Sequence, residues 1–478
     1  MSLDLRQPRS GHAQHLAALP RGEAHVHRGW DRHTRALIVL PMLLSLIACG
    51  GSKGAPLPPP PHWEQAVDLG GSMYQSGLSL AGDGHGNLAA AWLRTGAGSA
   101  VEVVAARLHP DGTWEAAQVL ESVNPPSVPQ PPVVALDGRG RGVIAWLTTT
   151  SASTQVAFRM AAVDLAGTSP FAAAGTAFSA DLRHASDLRL AVGSDGSAMA
   201  AWTFDRSLTV VSPPVDLSTL QVSRRGADGQ WSAPASYHLN QWSRQSLMNL
   251  LGHGQGAYLV ELDTGDDAFV DTEAYALPVG SFAATQVPGY EPAAQFALPN
   301  RETAWAADGL GGLEVWLLYY ADTKVYPRKG TAASTWTVAD PVALPMDAIH
   351  IAVLRASNGA GWLAGTGTAG LWVAPLTGLV PGTPKLLLGP TVVADRLIAT
   401  QDASGRPTLL WVQTRNGSVD GLGFSSWNGS AWSTPELVPG TAGISVTGLC
   451  IGAGPSGLMA VWAENGTLGS RLRSARWH

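Results

Sequence analysis

One dense group of charged side chains in the sequence is an acidic segment of thirteen residues. It holds six carboxylates, at Glu261, Asp263, Asp266, Asp267, Asp271 and Glu273. Carboxylate oxygens are ligands for hard cations, and Ca²⁺ takes about six to eight oxygen ligands. The spacing differs from that of an EF-hand loop, so a solvated acidic loop is the alternative. The segment predicts a cation-binding or partner-binding loop on Asp263, Asp266, Asp267 and Asp271, with Ca²⁺ as its candidate ion.

Cys49 follows an apolar run, residues 36–48, which is itself preceded by three arginines. Thirteen residues are too few for a membrane-spanning helix, which needs about 20, but the charged-then-apolar order is typical of a secretory signal peptide. Leu46-Ile47-Ala48-Cys49-Gly50 resembles a bacterial lipobox. The resemblance implies diacylation of the Cys49 thiol, cleavage before Cys49 and acylation of the new amino group, and two or more acyl chains anchor a protein stably. An ordinary signal peptide, or an uncleaved anchor with a chance cysteine, is the alternative.

This signal divides the chain into three parts. Residues 1–48 are predicted to be a leader and lipoprotein signal peptide, residues 49–61 a lipidated cysteine and Gly/Pro-rich tether, and residues 62–478 the folded body. The run Pro58–Pro61 favours stiff polyproline II. The two residues directly after Cys49 are Gly50 and Gly51 and not aspartate, which implies the outer membrane, by resemblance to sorting in Gram-negative bacteria. We therefore expect a lipid-anchored protein of the cell envelope.

Charge and motif content narrow the function classes. The chain has 30 basic and 36 acidic residues; six of the basic and three of the acidic ones precede residue 50, which leaves the remainder a net charge of −9. A body of that charge offers no basic face to nucleic acid. The sequence contains no P-loop, H-E-x-x-H or G-x-S-x-G motif, and two cysteines cannot form a thiolate metal site. We expect no cofactor from these motifs, no disulfide, and Cys450 as a buried small hydrophobe.

A unit of about 53 residues recurs from residue 62 onward. In its clearest form an apolar strand runs into Asp137-Gly138, a second strand ends in Trp146, and a third strand leads through a turn into a fourth. Eight four-stranded units of this length are typical of propeller blades, whereas tandem β-sandwiches need about 100 residues each. The sequence predicts an all-β fold, a single β-propeller of about eight blades. The second-strand positions are Trp92, Trp146, Trp202, Val260, Trp316, Gly365, Trp411 and Trp462.

The last unit has three strand-like segments and no fourth. Residues 62–69, His-Trp-Glu-Gln-Ala-Val-Asp-Leu, resemble the fourth-strand segment at residues 113–120. We therefore expect the N-terminal strand to complete the last blade, which leaves no unpaired sheet edge between the first and last blades.

The recurring tryptophans have two interpretations. A row of aromatic rings can form a sugar-stacking surface, but a ring at a fixed place in a central strand more often fills the space between neighbouring sheets. We interpret them as packing residues.

The turns around Trp114, Trp231 and Trp432 are similar to the Asp-box hairpins of sialidase-type propellers, in a degenerate form. Sialidases also need an arginine cluster and an F-R-I-P-like segment; the nearest match, at Phe158-Arg159-Met160, lacks the proline, so sialidase activity is not carried over. The architecture also resembles the eight-bladed lipoprotein of the outer-membrane β-barrel assembly machine, without the T-G-K element of its repeats. Over residues 62–478 the chain resembles bacterial β-propeller lipoproteins, a resemblance that carries no activity.

The leading functional hypothesis is a membrane-anchored, non-catalytic binding or scaffold module with a protein or glycan partner. One alternative is a sialidase-like, glycan-active hydrolase, which needs two carboxylates about 5–10 Å apart at the propeller mouth. Another is an outer-membrane assembly factor. A mouth lined by small or apolar residues would favour binding. The insertion at residues 204–219 occupies the same loop class as the acidic segment, so the two are expected to share one rim.

Overall fold

The structure is a computed structural model. It describes residues 61–478 apart from short gaps; the signal peptide, Cys49 and most of the tether lie outside the described residues. The gaps are at residues 70–72, 84, 150–155, 181–184, 194, 209–214, 227, 238–243, 254–256, 267–268, 278–284, 287–300, 308–312, 320–322, 331–335, 357–359, 403–404, 416–417, 455–456 and 467–468.

Strands account for nearly all of the secondary structure in the described residues, because apolar and β-branched runs alternate with Gly- and Asp-rich turns. One 3₁₀ turn, Ala97–Ser99, is present, and no described helix has the length and apolarity to cross a membrane. The strands are β1 (Val67–Asp68), β2 (Met73–Gly82), β3 (Leu88–Thr95), β4 (Val101–Leu108), β5 (Gln118–Val123), β6 (Val133–Leu136), β7 (Arg141–Thr149), β8 (Val156–Asp164), β9 (Gly175–Ala180), β10 (Ala185–Val192), β11 (Ala198–Leu208), β12 (Val215–Arg225), β13 (Ala235–Tyr237), β14 (Arg244–His253), β15 (Ala257–Asp266), β16 (Phe269–Leu277), β17 (Thr285–Gln286), β18 (Arg301–Ala307), β19 (Leu313–Tyr319), β20 (Lys324–Gly330), β21 (Trp336–Val338), β22 (Val342–Ala343), β23 (His350–Arg355), β24 (Gly361–Gly367), β25 (Gly370–Thr377), β26 (Val380–Pro381), β27 (Lys385–Leu388), β28 (Val392–Gln401), β29 (Pro407–Arg415), β30 (Ser418–Ser426), β31 (Glu436–Leu437), β32 (Ser445–Gly454), β33 (Gly457–Gly466) and β34 (Gly469–Trp477).

Within residues 61–478, outside the gaps, these strands pair into eight antiparallel sheets. We number them sheet 1 (β2–β5), sheet 2 (β6–β9), sheet 3 (β10–β13), sheet 4 (β14–β17), sheet 5 (β18–β22), sheet 6 (β23–β27), sheet 7 (β28–β31) and sheet 8 (β32–β34 with β1). Sheets 1 to 7 place their first four strands side by side in chain order, and in sheets 5 and 6 a fifth short strand also pairs with the third. The predicted all-β class and the four-stranded antiparallel sheets are confirmed.

The turn between the first and second strands repeats one set of hydrogen bonds. In sheet 2 the buried Asp137 accepts the backbone N–H groups of Arg139 and Arg141, both at 2.9 Å. Gly140 has a φ of 75°, in the left-handed region that favours glycine. Asp83 in sheet 1 and Asp402 in sheet 7 accept the backbone N–H four residues later in the same way. A buried aspartate therefore fixes this turn, and with it the register of the two strands it joins.

Neighbouring sheets share apolar clusters. Separate clusters join sheets 8 and 1, 1 and 2, 2 and 3, 5 and 6, 6 and 7, and 7 and 8. Each cluster contains a tryptophan ring that is almost fully buried, as the packing interpretation predicted. These rings belong to Trp92, Trp146, Trp202, Trp372, Trp411 and Trp462.

Taken in the order sheets 5, 6, 7, 8, 1, 2, 3 and 4, the first strands of successive sheets lie next to one another. β2 contacts β32 on one side and β6 on the other, β10 contacts β6 and β14, and β23 contacts β18 and β28. Sheets that meet along their first strands and stack face to face are typical of a β-propeller-like arrangement.

The N-terminal strand β1 pairs with β34 rather than with a strand near it in sequence. Val67 lies opposite Ser474 and Asp68 opposite Arg473, and Trp63 forms a bridge with Trp477. The indole of Trp63 packs against Phe424 of sheet 7 and Trp477, at centroid distances of 5.0 and 5.6 Å.

Candidate functional site: a cavity on the first strands of sheets 1 to 3

The first strands of sheets 1, 2 and 3, with the residues that lead into the first strand of sheet 2, line a cavity of about 490 Å³. This volume is within the range of roughly 300–1,000 Å³ typical of ligand pockets. Small and apolar residues form most of its lining. The lining residues are Gly77, Leu78, Ser79, Gln130, Pro131, Pro132, Val133, Asp187, Leu188 and Arg189.

Two contacts between sheets hold the first two walls of this cavity together. A Cβ at Gly77 would lie 2.3 Å from Pro131 Cβ. Only glycine therefore lets β2 pass this close to the segment that contains Pro131. The Ser79 hydroxyl accepts the backbone N–H of Val134 at 3.0 Å. The distance between sheets 1 and 2 at the cavity is therefore set by the residues Gly77 and Ser79.

The third wall is a β-bulge in β10, where the register with β11 shifts between Ser186 and Arg189. Asp187 has a φ of 55°, which is uncommon for a residue other than glycine. Its Oδ2 accepts the Thr203 hydroxyl at 3.3 Å, and Arg189 Nη1 donates to the carbonyl oxygen of Leu188 at 3.1 Å. Left-handed backbone at a bulge is one of the strained features that functional sites often retain.

Two charged side chains line the cavity, the carboxylate of Asp187 and the guanidinium of Arg189. Burial lowers the pKa of the Arg189 guanidinium from its ordinary value, and the charge of Asp187 opposes that shift. Among the residues that line the cavity, Asp187 is the one carboxylate. Glycoside hydrolysis by two carboxylates therefore has no second partner in this lining, whereas apolar walls with a few polar groups suit ligand binding.

The acidic segment of the sequence forms paired strands in sheet 4, and its expected loop structure is corrected accordingly. Asp263 and Asp266 lie in β15 and Asp271 lies in β16, with Asp263 opposite Thr272 and Asp266 opposite Phe269. The antiparallel pairing with β16 runs to the end of β15 although Leu262 is the one large apolar side chain in residues 261–266. Asp267 lies outside the described residues. The cation-binding or partner-binding role of the segment stays a prediction.

The insertion in sheet 3 is likewise strand over most of its length. β11 and β12 pair from Ala198 to Leu208 and from Val215 to Arg225, and extend beyond the end of β10. The intervening residues 209–214 lie outside the described residues, so the shared rim also stays a prediction.

Cys450, in β32, carries a free thiol and is half-buried rather than fully buried. Burial raises the pKa of this thiol to about 11. Its Sγ lies 3.7 Å from the carbonyl oxygen of the cavity residue Leu78. Within the described part of the chain, no three His, Cys, Asp or Glu side chains are grouped as metal ligands would be.

The sequence analysis did not identify the cavity. The signal that was available is the charged pair Asp187 and Arg189 inside a largely apolar first strand. The β-bulge that contains these two residues interrupts the alternation of side chains between the two faces of the sheet. No local sequence pattern predicts such a bulge.

Comparison with known proteins adds little to this geometry. No family model matches the chain, and no curated protein matches it. It is similar to an acylaminoacyl peptidase from Pyrococcus horikoshii (10% identity, TM-score 0.42, covering 82% of this chain and 58% of that one). It is also similar to Trypanosoma rangeli sialidase (10%, TM-score 0.37, 85% and 55%) and to a protein from Dyadobacter fermentans (12%, TM-score 0.36, 74% and 96%). The chain thus spans little more than half the length of the first two. These similarities transfer no activity, and the chain is characterised by its own structure as a nearly all-β protein of four-stranded antiparallel sheets.

Proposed function

We propose that this chain is a lipid-anchored protein of the cell envelope whose folded body is a non-catalytic binding module for a protein or glycan partner. The cavity on sheets 1 to 3 is where that partner is bound. The observation that supports this function is the lining itself, in which one acid–base pair, Asp187 and Arg189, stands among small and apolar side chains. Such a lining orients a ligand through few polar contacts and removes apolar surface from water.

In this proposal the eight sheets are the blades of one propeller, and β1 completes the eighth. The contacts between first strands, the shared apolar clusters and the pairing of β1 with β34 support this arrangement. A ring of blades holds the walls of the cavity rigidly, because each sheet is packed on both faces.

The lipid anchor is Cys49, and the tether at residues 49–61 leads directly to Trp63 and β1. The lipobox-like residues 46–50 support the anchor, and the outer membrane of a Gram-negative bacterium is the proposed location. Metabolic labelling with a palmitate analogue, in the wild type and in Cys49→Ala, tests it. We expect label only in the wild type, which should fractionate with membranes. A soluble, unlabelled wild-type protein would reject the anchor.

The cavity is tested with the purified full-length protein on an array of envelope and host glycans and by cross-linking to isolated envelope proteins. Arg189→Ala should weaken every specific signal. Arg396→Ala is the matched control, since Arg396 also lies at a first-strand bulge with positive φ but does not line the cavity. Equal binding by wild type and Arg189→Ala would reject the cavity, and release of free sugar from the array would favour the hydrolase.

A further inference from the structure

Tryptophan rings from sheets 6 and 7 meet at one end of these sheets. The ring of Trp362, in the second strand of sheet 6, lies 5.5 Å from that of Trp427 and 6.4 Å from that of Trp432, measured between centroids. Trp432 is buried, whereas Trp362 and Trp427 are half-buried. Two large aromatic rings are therefore partly accessible where sheets 6 and 7 meet.

This end of each sheet carries the turn between its first and second strands, and we call it the first-turn end. Trp362 is the second residue of β24, and the backbone N–H of Trp427 donates to the carbonyl oxygen of Pro407, the first residue of β29, at 2.8 Å. Val380, which is 60% exposed, stands opposite Thr377 at the end of β25 and so lies at the same end. We call Trp362, Val380 and Trp427 together the aromatic patch.

The N-terminal segment joins the folded body at the first-turn end as well. Trp63 forms its bridge with Trp477, which lies beside Leu458, the second residue of β33. The Trp63 ring packs on Phe424 of sheet 7. Trp427 follows Phe424 by three residues, which is about 10 Å in extended chain. The point where the chain enters the body and the aromatic patch are therefore close together.

The chain between the proposed lipid anchor and this entry point is short. Twelve residues separate Cys49 from His62, and at about 3.1–3.6 Å per residue the segment spans at most about 45 Å. A membrane that holds the lipidated Cys49 is therefore within about 45 Å of His62. An exposed apolar surface beside His62 is within reach of that membrane.

Apolar exposure alone does not distinguish the two ends of the sheets. Ile349 is 39% exposed and Val393 is 47% exposed. Both lie at the opposite end, since the N–H of Ile349 donates to the carbonyl oxygen of Thr366, near the end of β24, and Val393 pairs with Thr414, near the end of β29. The entry of the chain at the first-turn end is what distinguishes the aromatic patch from these two residues.

We propose that the aromatic patch docks on the lipid headgroup region of the membrane that holds Cys49. Indole rings suit this region because an apolar ring and a polar N–H match the boundary between hydrocarbon and water. Val380 adds apolar area that docking removes from water. The first-turn end of sheets 6 to 8 then faces the membrane, and the opposite end faces away from it. This inference deepens the proposed function and rests on its lipid anchor.

The test uses the full-length protein, in a Cys450→Ala background, reconstituted in vesicles of phosphatidylethanolamine and phosphatidylglycerol. Ala431→Cys places a thiol in the exposed turn next to Trp432, and a fluorescent dye is attached to it. Lipids with a spin-labelled headgroup quench the dye. The matched control is Ala442→Cys, an exposed alanine next to Gly443, whose N–H donates to Asp420 at the opposite end of sheet 7.

We expect quenching at position 431 to exceed that at position 442 by about twofold or more, because interfacial groups lie about 5–10 Å deep in the headgroup region. Val380→Asp puts a charge into the patch at an exposed position and should lower quenching at position 431 about twofold. Val393→Asp makes the same change at the opposite end of the sheets and should leave that quenching unchanged.

Flotation of the vesicles separates the anchor from the docking surface. A protein that does not float with the vesicles would reject the lipid anchor, and the docking surface with it. A protein that floats but is quenched equally at positions 431 and 442, or more strongly at 442, would overturn the docking surface alone. The same holds if Val380→Asp leaves the quenching at position 431 unchanged.

Discussion

Gly365 in β24 lies directly opposite Trp372 in β25, and a Cβ at position 365 would stand 2.3 Å from Trp372 Cζ2. Sheet 7 shows the reverse order, since Trp411 of the second strand lies opposite Gly423 of the third. A Cβ at Gly423 would come within 2.1 Å of the Trp411 ring. In these two sheets a glycine stands opposite the ring, and either central strand supplies that ring. In sheets 1 and 2 the corresponding rings of Trp92 and Trp146 lie opposite Val104 and Arg159 instead.

Gly365→Ala should therefore destabilise the protein by about 1–3 kcal/mol, the usual cost of overpacking a filled core. Urea unfolding followed by tryptophan fluorescence measures the change. Gly175→Ala is the control, because Gly175 also lies in a strand and no heavy atom stands within 4 Å of its would-be Cβ. Equal stability of the two variants would show that the Trp372 ring can move aside.

The aspartate of the first turn should make stability depend on pH. Burial raises the pKa of Asp137, but the backbone N–H groups of Arg141 and Arg139 and the Arg141 guanidinium lower it more, so the folded pKa lies below its ordinary value. The ionised carboxylate then stabilises the fold above about pH 4, and this contribution is lost as pH falls through the folded pKa.

Asp137→Asn should cost about 1.5–3 kcal/mol at pH 7, the range for hydrogen bonds to a charged group, and the difference from wild type should shrink between about pH 5 and pH 3. Unfolding free energies at several pH values measure it. Asp195→Asn, at the exposed acid of the same turn in sheet 3, should stay within about 0.5 kcal/mol of wild type. A pH-independent effect at position 137 would contradict the role of its charge.

Trp63 should hold the N-terminal strand in place more than the strand pairing does. Trp63→Ala removes a ring that is 8% exposed and packs on Phe424 and Trp477, so we expect a loss of about 3–5 kcal/mol. Val67→Ala, in the pairing segment itself but 55% exposed, should be nearly neutral. Limited proteolysis near residue 62 together with urea unfolding distinguishes them, and similar behaviour of both variants would contradict anchoring by the ring.

Cys450 should react slowly although it is only half-buried. With a pKa of about 11, its thiolate fraction at pH 8 is about a hundredfold below that of an ordinary cysteine, and the thiolate is the reactive form. Alkylation by iodoacetamide, followed by mass spectrometry in the Cys49→Ala background, measures the rate. The same protein in urea is the control and should react fast. A native rate equal to the unfolded rate would contradict the pKa.

The strands and turns of this fold are largely predictable from the sequence. Turn residues such as Asp137 and Gly140 recur at a regular sequence spacing from a central tryptophan. They recur because a tight hairpin needs residues of these types in its turn. The density of carboxylates around Asp263 and Asp266 predicts a loop, yet the pairing of β15 with β16 continues through this stretch.

The cavity on sheets 1 to 3 was not predictable for a different reason. It depends on the positive φ of Asp187 and on the close approach of Gly77 to Pro131, two residues from different sheets. Neither the positive φ nor the close approach follows from the secondary-structure propensity of nearby residues. Both arise only when the sheets pack together. The exchange of glycine and tryptophan between the second and third strands at Gly365 and Trp372 likewise involves two residues together. The sequence at either position alone does not predict it.

The pairing of Val67 with Ser474 also determines when strand β1 can pair during folding. If the chain emerges from a membrane channel N-terminus first, β1 is exposed before sheets 1 to 7 have been made and must wait, unpaired, for β34. Contacts this far apart in sequence form late, because the chain entropy of a very long loop is lost before any pairing energy is gained. Until then the sheet edge that β34 will cover can pair with another copy of the chain. Strand β1 is therefore open to strand exchange during that interval.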